Sequence, residues 1–135
     1  MPVFLFALMF AASADAQVRW GVRVGVTDGE PMIGGDMLVN LGSGFVFNPN
    51  LELSTDIVST NADFHYDINI GRTAAFWLGT GFALVIPEGQ DLDLGVNFLA
   101  GLGVQSSGRI FYTQLKATAP TDHDSYTSLA VGMRF

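Results

Sequence analysis

Residues 18–27 read VRWGVRVGVT, and apolar and other residues alternate through them without an error. One face of an extended chain would carry Val18, Trp20, Val22, Val24 and Val26, and the other Arg19, Gly21, Arg23, Gly25 and Thr27. A period of two residues is the signature of a β-strand with one apolar face, because successive side chains of a strand point to opposite sides. This stretch therefore predicts a strand that meets an apolar medium on one side only.

The same alternation returns along the chain, and it predicts eight strands in all. Clusters of Gly, Pro, Asn, Asp and Ser, which favour turns, separate the strands. If the first strand starts in the periplasm, the turns predicted at 48–50, 71–72 and 106–108 lie on the periplasmic side. The turns predicted at 28–32, 59–61, 87–90 and 119–124 then lie on the outer side and are acidic as a group.

The composition is unusually apolar for a soluble protein. With 135 residues, the chain is long enough for one domain. Hydrophobic residues make up 49% and charged residues 14%, and the mean hydropathy is +0.36, whereas roughly a quarter of the residues of a soluble domain are charged. After the N-terminus no run approaches the roughly 20 apolar residues that a membrane helix needs. A chain of this kind that spans a membrane has to do so as a β-barrel.

Charge and cysteine content exclude several kinds of function. A net charge of −7 with only six basic residues argues against nucleic acid, whose phosphates require clusters of Lys and Arg. Without cysteine there is no disulfide, thiolate metal site or cysteine nucleophile. The sequence predicts no cofactor, metal site or catalytic site. The loop Asp122, His123, Asp124 is interpreted as a solvated acidic loop rather than a cation site.

The first 16 residues predict a signal peptide, and residues 17–135 the barrel domain. An apolar run is followed by Ala14, Asp15 and Ala16, which fits the small-x-small cleavage pattern. No Lys or Arg precedes the run, so a truncated start or an uncleaved anchor remains an alternative.

Glycine content indicates which face of the sheet lies inside. The less apolar face carries Gly21, Gly25, Gly42, Gly44, Gly79, Gly81, Gly95, Gly101, Gly103 and Gly132. Small residues suit the narrow interior of an eight-stranded barrel, whereas glycine weakens a strand exposed to water. We therefore expect the glycine and charge face inside and the apolar face, with its aromatic residues near the periplasmic ends, against lipid.

Charged side chains on the inner face have to pair, because an isolated buried ion is costly. We predict an interior network of Arg19, Arg23, Asp36, Glu52, Asp56, Asp63, His65, Asp67, Asp93, Lys116 and Arg134. Strand direction divides it into a periplasmic cluster (Arg19, Arg134, Glu52, Asp67) and an outer cluster (Arg23, Lys116, Asp36, Asp56, Asp63, Asp93). Acids outnumber bases in the outer cluster, so some of its carboxylates are expected to reach solvent or to hold a proton.

The last strand carries the clearest family resemblance. Tyr126 is followed by Leu129, Val131, Met133 and the terminal Phe135, and this run resembles the C-terminal signal that the barrel assembly machinery reads. The segment FNPNLE at 47–52 resembles the turn into the third strand. The chain thus resembles the small outer-membrane β-barrels, which include the transmembrane domain of outer membrane protein A and the opacity-type proteins. The resemblance implies an all-β, eight-stranded, antiparallel up-and-down transmembrane barrel in the outer membrane, in contact with its lipid; a monomer is expected.

Three functional hypotheses follow, in order of preference. The first is a non-enzymatic integral barrel with a side-chain-filled interior and an envelope structural or small interaction role. The second is a soluble or periplasmic barrel that binds a small apolar ligand. The third is a lipid-modifying enzyme, although residues 111–114, which match the catalytic stretch of the family's lipid A deacylases, contain no histidine. Short loops disfavour host or receptor binding.

Overall fold

Eight antiparallel strands close into a barrel in the computed structural model, which describes residues 18–135. The strands are β1 (Val18–Thr27), β2 (Glu30–Gly42), β3 (Phe45–Ser54), β4 (Ile57–Asn69), β5 (Ala74–Pro87), β6 (Asp93–Ser106), β7 (Arg109–Pro120) and β8 (Tyr126–Arg134). Each strand pairs with its neighbours in sequence, and β1 pairs with β8. The predicted fold class is confirmed, while the predicted signal peptide lies outside the described residues. Nowhere in 18–135 is there a helix long and apolar enough to cross a bilayer.

The connections are short and define two ends of the barrel. The termini end carries Val18, Phe135 and the turns β2–β3, β4–β5 and β6–β7; the loop end carries the other four connections. Two-residue turns at Asp28–Gly29 and Ser107–Gly108 have positive φ at both residues. This is the geometry of type I′ hairpins, whose twist matches that of the flanking strands and which favour glycine at the second position.

Two predicted turns were wrong. Residues 48–50 lie inside β3, and residues 59–61 lie inside β4. The chain instead turns at Ser43–Gly44, with positive φ at both residues, and at Thr55–Asp56. Gly42, the last residue of β2, and Gly44 consequently flank or form this turn and do not lie on the inner face of the barrel. Asn, Pro and Ser favour turns locally, but here the polar side chains of both segments find partners inside the barrel, and tertiary contacts override the local preference.

Pro49 stands within β3 because Asn48 replaces the hydrogen bond that proline cannot make. Asp36 pairs with Asn50 and Val39 with Phe47, so Pro49 faces Met37, and the ladder is interrupted between these two pairs. A proline lacks the N–H that the Met37 carbonyl would accept. The Asn48 side-chain amide donates to that carbonyl instead, at 2.7 Å.

The two faces of the sheet are confirmed as predicted. Arg23, Lys116 and Arg134 are at most 2% exposed, whereas Phe82 is 69% and Ile33 61% exposed. A water-soluble barrel would have the reverse arrangement, with apolar side chains inside and polar ones outside. In the described part of the chain, charged and amide side chains fill most of the interior beside small apolar clusters around Trp77 and Val85, whereas the ligand-carrying alternative requires a continuous apolar lining.

Glycines on the inner face make room for the largest interior side chains. A Cβ atom at Gly101 would overlap the indole of Trp77, and one at Gly132 would overlap the ring of Tyr112. Trp77 and Tyr112 are both buried, so the glycines were predictable from the need to fit bulky residues into a narrow cylinder.

We expect Gly101→Ala to destabilise the barrel. The added methyl group overlaps the indole of Trp77, and overpacking of this kind costs about 1–3 kcal/mol. Gly35→Ala is the matched control, since its Cβ atom would meet nothing closer than 3.7 Å. Denaturant unfolding in detergent micelles measures both, and equal midpoints for the two variants would contradict this packing.

We also expect the effects of Asn48 and Pro49 to be coupled. Asn48→Ala leaves the Met37 carbonyl without its donor, and an unsatisfied buried acceptor costs about 1–3 kcal/mol. In a Pro49→Ala background the restored N–H can take over, so Asn48→Ala should cost less there. A double-mutant cycle of unfolding free energies measures the coupling, and strict additivity would refute the proposed role of Asn48.

Candidate functional site: the charge network inside the barrel

The network is centred on one carboxylate between two arginines. Oδ2 of Asp36 accepts from Nη2 of Arg23 at 2.6 Å and from Nη2 of Arg134 at 2.9 Å. Nε of Arg134 and the amide of Asn48 also donate to this oxygen, at 3.1 and 2.9 Å. Asp36 sits on β2 next to β1, and Arg134 on β8 flanks β1 from the other side, so the barrel closure brings the three residues together.

Glu52 extends the network towards the far side of the barrel. One of its oxygens accepts from Arg23 at 3.3 Å and the other from Nζ of Lys116 at 3.3 Å. Lys116 also contacts Asp63 at 2.7 Å. Three cations (Arg23, Lys116, Arg134) thus face three carboxylates (Asp36, Glu52, Asp63), and the interior network is electrically balanced.

Amide side chains donate to both oxygens of the third carboxylate, Asp63. The amide of Asn50 donates to Asp63 at 2.8 Å, and that of Asn97 donates to the other Asp63 oxygen at 2.7 Å. Asn61 links the two groups, since it donates to Asn50 and accepts from Asn97, both at 2.9 Å. Neutral amides can fill such positions without adding charge, which keeps the network balanced.

Aromatic rings line the network on its termini side. The guanidinium carbon of Arg134 lies 4.0 Å from the ring centroid of Tyr112 and 5.5 Å from that of Trp77. The ring of Trp77 stacks at 5.4 Å on His65, and its N–H donates to Gln114 at 3.0 Å. Cation–π contacts of this type strengthen when water is excluded, so the rings both fill space and hold Arg134 in place.

The structure changes the predicted grouping of charges. The division into two clusters was wrong, because Arg134 and Asp36 meet directly, and Glu52 bridges Arg23 and Lys116. Arg134 and Glu52 of the predicted periplasmic cluster thus pair with members of the outer cluster, because the strands are strongly staggered around a closed barrel.

The remaining predicted network members lie at its margins or outside it. Asp67 pairs with Nδ1 of His65 at 2.8 Å near the termini end. Arg19 is half-buried and donates to the Gly108 carbonyl at 2.8 Å. Asp93 accepts from His123 at 2.8 Å and from the backbone N–H of Asp122 at the loop end.

Asp56 was wrongly placed in the interior. It lies in the exposed bend between β3 and β4, because the real turn falls there and not at 59–61. The acidic surplus that the sequence suggested for the outer part of the interior is thereby reduced, and the central carboxylates all have cationic partners.

Sequence reasoning missed the amide members of the network. Asn48, Asn50 and Asn61 were assigned to turns, although all three are at most 1% exposed. Their positions in the sequence could have identified them, because they lie an even number of residues from a buried carboxylate. Asn50 is two residues before Glu52, and Asn61 is two residues before Asp63. Two-residue spacing places them on one face.

The residues of the predicted assembly signal alternate as expected along β8. Tyr126 is buried inside the barrel, while Leu129, Val131 and Phe135 are exposed on the outside. Met133 is half-buried.

The site as a whole offers no arrangement of three or more His, Asp or Glu side chains that could hold a metal ion among residues 18–135. Its geometry is that of a rigid, neutral plug.

We expect Asp36→Asn to lower the stability of the barrel strongly. The substitution keeps the shape but leaves Arg23 and Arg134 without their shared anion, and removing one partner of a buried ion pair costs about 3–5 kcal/mol. Asp91→Asn is the control, because Asp91 is exposed at the loop end. Urea unfolding of the two variants in micelles should differ clearly; equal midpoints would show that Asp36 is not the centre of the network.

Comparison with known proteins places the fold. No protein-family model matches the chain, and neither does any curated protein sequence. Among solved structures, the N-terminal β-barrel domain of OprF from Pseudomonas aeruginosa superposes with a TM-score of 0.71 at 16% identity, covering 87% of this chain and 96% of that one. Neisserial surface protein A (NspA) gives 0.69 at 10% identity, over 87% and 94% of the two chains.

The fold also occurs in an enzyme. The outer membrane enzyme PagL superposes with a TM-score of 0.56 at 11% identity, over 87% of this chain and 98% of that one. At identities this low, the superposition shows that the folds are alike, but it does not show that the proteins share a function. By its closed strand order, its polar interior and these likenesses, the chain has the fold of the small eight-stranded outer-membrane β-barrels.

Proposed function

We propose that the chain is a non-enzymatic integral protein of the outer membrane, with an envelope structural role or a small interaction role. The observation that carries this proposal is the contrast between the two faces: paired charges fill the inside, and exposed apolar side chains cover the outside. Large exposed apolar surfaces are rare on soluble monomers. A bilayer is the medium that such a surface fits, and the outer-membrane neighbours support that location.

The positions of the histidines support a non-enzymatic role. The chain has two histidines. His65 points into the barrel against Asp67 and Trp77, and His123 contacts Asp93 in a loop. Acyl transfer at a lipid needs a nucleophile beside a base on the lipid-facing surface. Neither histidine is on that surface, so the lipid-modifying alternative lacks its base; lipid A mass spectra with and without expression test it directly.

Partners follow from the same surface. Outer-membrane lipid contacts the exposed apolar side chains, and the barrel assembly machinery reads the alternating segment that ends at Phe135. The barrel is proposed to act as a monomer, because the closed sheet has no free edge strand to pair with a second copy.

We expect the mature protein to insert into lipid and to conduct no stable large current. Folded barrel should migrate differently from boiled barrel on gels, and planar-bilayer recordings should stay at baseline, because an eight-stranded barrel filled by side chains leaves no aqueous channel. Boiled protein serves as the unfolded control. Stable large conductance would overturn the filled interior, and solubility without detergent would overturn the membrane assignment.

A further inference from the structure

Outside the interior network, and apart from Asp67, which pairs with His65, basic and acidic residues are separated along the barrel axis. Of the six basic residues, Arg23, Lys116 and Arg134 belong to the interior network. The other three, Arg19, Arg72 and Arg109, lie at the termini end, and we call them the basic girdle. The loop end of the described barrel has no Lys or Arg and carries Asp28, Glu30, Asp56, Glu88, Asp91, Asp93, Asp122 and Asp124.

The basic girdle covers one side of the termini end. Arg19 donates to the carbonyl of Gly108, which directly precedes Arg109, so two guanidinium groups flank one turn. Arg72 is exposed in the β4–β5 connection, where the next residue, Thr73, accepts from Gln105 of β6. The guanidinium of Arg19, which projects from the inner face of β1, therefore lies at the β6–β7 turn, and the three basic groups cover the side of the termini end formed by the β4–β5 and β6–β7 connections.

Aromatic side chains mark the level of the membrane interface at the same end. Trp20 is 49%, Phe111 44% and Phe135 55% exposed on the outer face. Trp20 and Phe135 are joined by backbone hydrogen bonds in both directions. Aromatic girdles of membrane barrels sit at the level of the lipid headgroups, so the exposed Arg72 and Arg109 at this end reach the phosphate layer.

We propose that the basic girdle selectively binds the headgroups of anionic phospholipids in the leaflet at the termini end. Arginine offers several donors in a planar fork that fits phosphate oxygens. Zwitterionic lipids offer the same phosphate without net negative charge, so the excess positive charge favours anionic lipids. The opposite end carries only acidic groups and repels them. This inference rests on the membrane insertion proposed above and adds the class of lipid.

Fluorescence of Trp20 tests the proposal. The protein is reconstituted into phosphatidylcholine bilayers that contain a small fraction of either brominated phosphatidylglycerol or brominated phosphatidylcholine. Bromine quenches only nearby tryptophan, and Trp20 is exposed on the outer face at the same end as the basic girdle, whereas Trp77 is buried in the barrel. We expect quenching by the brominated anionic lipid to be about twofold stronger or more, since each arginine near an anionic surface adds attraction.

Matched variants assign the effect to the basic girdle. Arg19→Gln, Arg72→Gln and Arg109→Gln combined should bring the quenching ratio to one, and high salt should lower it because exposed charges are screened. Asp28→Asn, Asp91→Asn and Asp122→Asn combined remove as many charges at the loop end and should leave the ratio intact. Trp20→Phe should abolish the lipid-dependent signal.

The outcomes separate the two proposals. A ratio of one for inserted, heat-modifiable wild-type barrel overturns the lipid selectivity and leaves the membrane barrel standing, and so does a selectivity that survives in the triple arginine variant. Failure of the wild-type chain to insert overturns both.

Discussion

The structure depends on one electrostatic constraint: every charge that enters the narrow barrel has to meet an opposite charge there. Asp36 meets this constraint most directly, because Arg23 and Arg134 both donate to the same oxygen. Each of these three ions would cost several kcal/mol if it were buried without a partner. This cost favours the strand register in which β1, β2 and β8 bring the three ions together. The register that closes the barrel is thus also the register that pairs these charges.

The two faces of the sheet meet different requirements: the inner face has to pair its charges, and the outer face has to contact lipid. The outer face needs only to be apolar, and Val, Leu, Ile and Phe side chains there are interchangeable to a first approximation. The inner face needs specific partners at specific positions, as the contacts of Glu52 with both Arg23 and Lys116 show. Specificity of the fold therefore resides in the polar residues, the reverse of a soluble protein, where an apolar core carries much of it.

Strand number, closure and the orientation of the faces could be predicted from the sequence because a period of two is a local signal. The path of the middle strands could not, since Asn48, Pro49 and Asn50 have the local character of a turn. Only the partners that these asparagines find across the barrel, Met37 and Asp63, make a continuous β3 more stable. The pairing of Arg134 with Asp36 was likewise hidden, because 98 residues separate them. The charged members of the candidate site were thus predictable from the sequence, whereas its asparagines and the pairings between its residues were not.

Three of the turns contain only two residues each, so almost none of their backbone extends beyond the sheet. These turns are Asp28–Gly29, Ser43–Gly44 and Ser107–Gly108. A protease needs several residues in an unpaired, extended form to fit its cleft, and exposed loop tips are where nicking concentrates. Hairpins closed by two residues provide no such substrate. The longer connections of the described barrel, where an external enzyme or antibody could bind, are confined to the segments 70–73, 88–92 and 121–125.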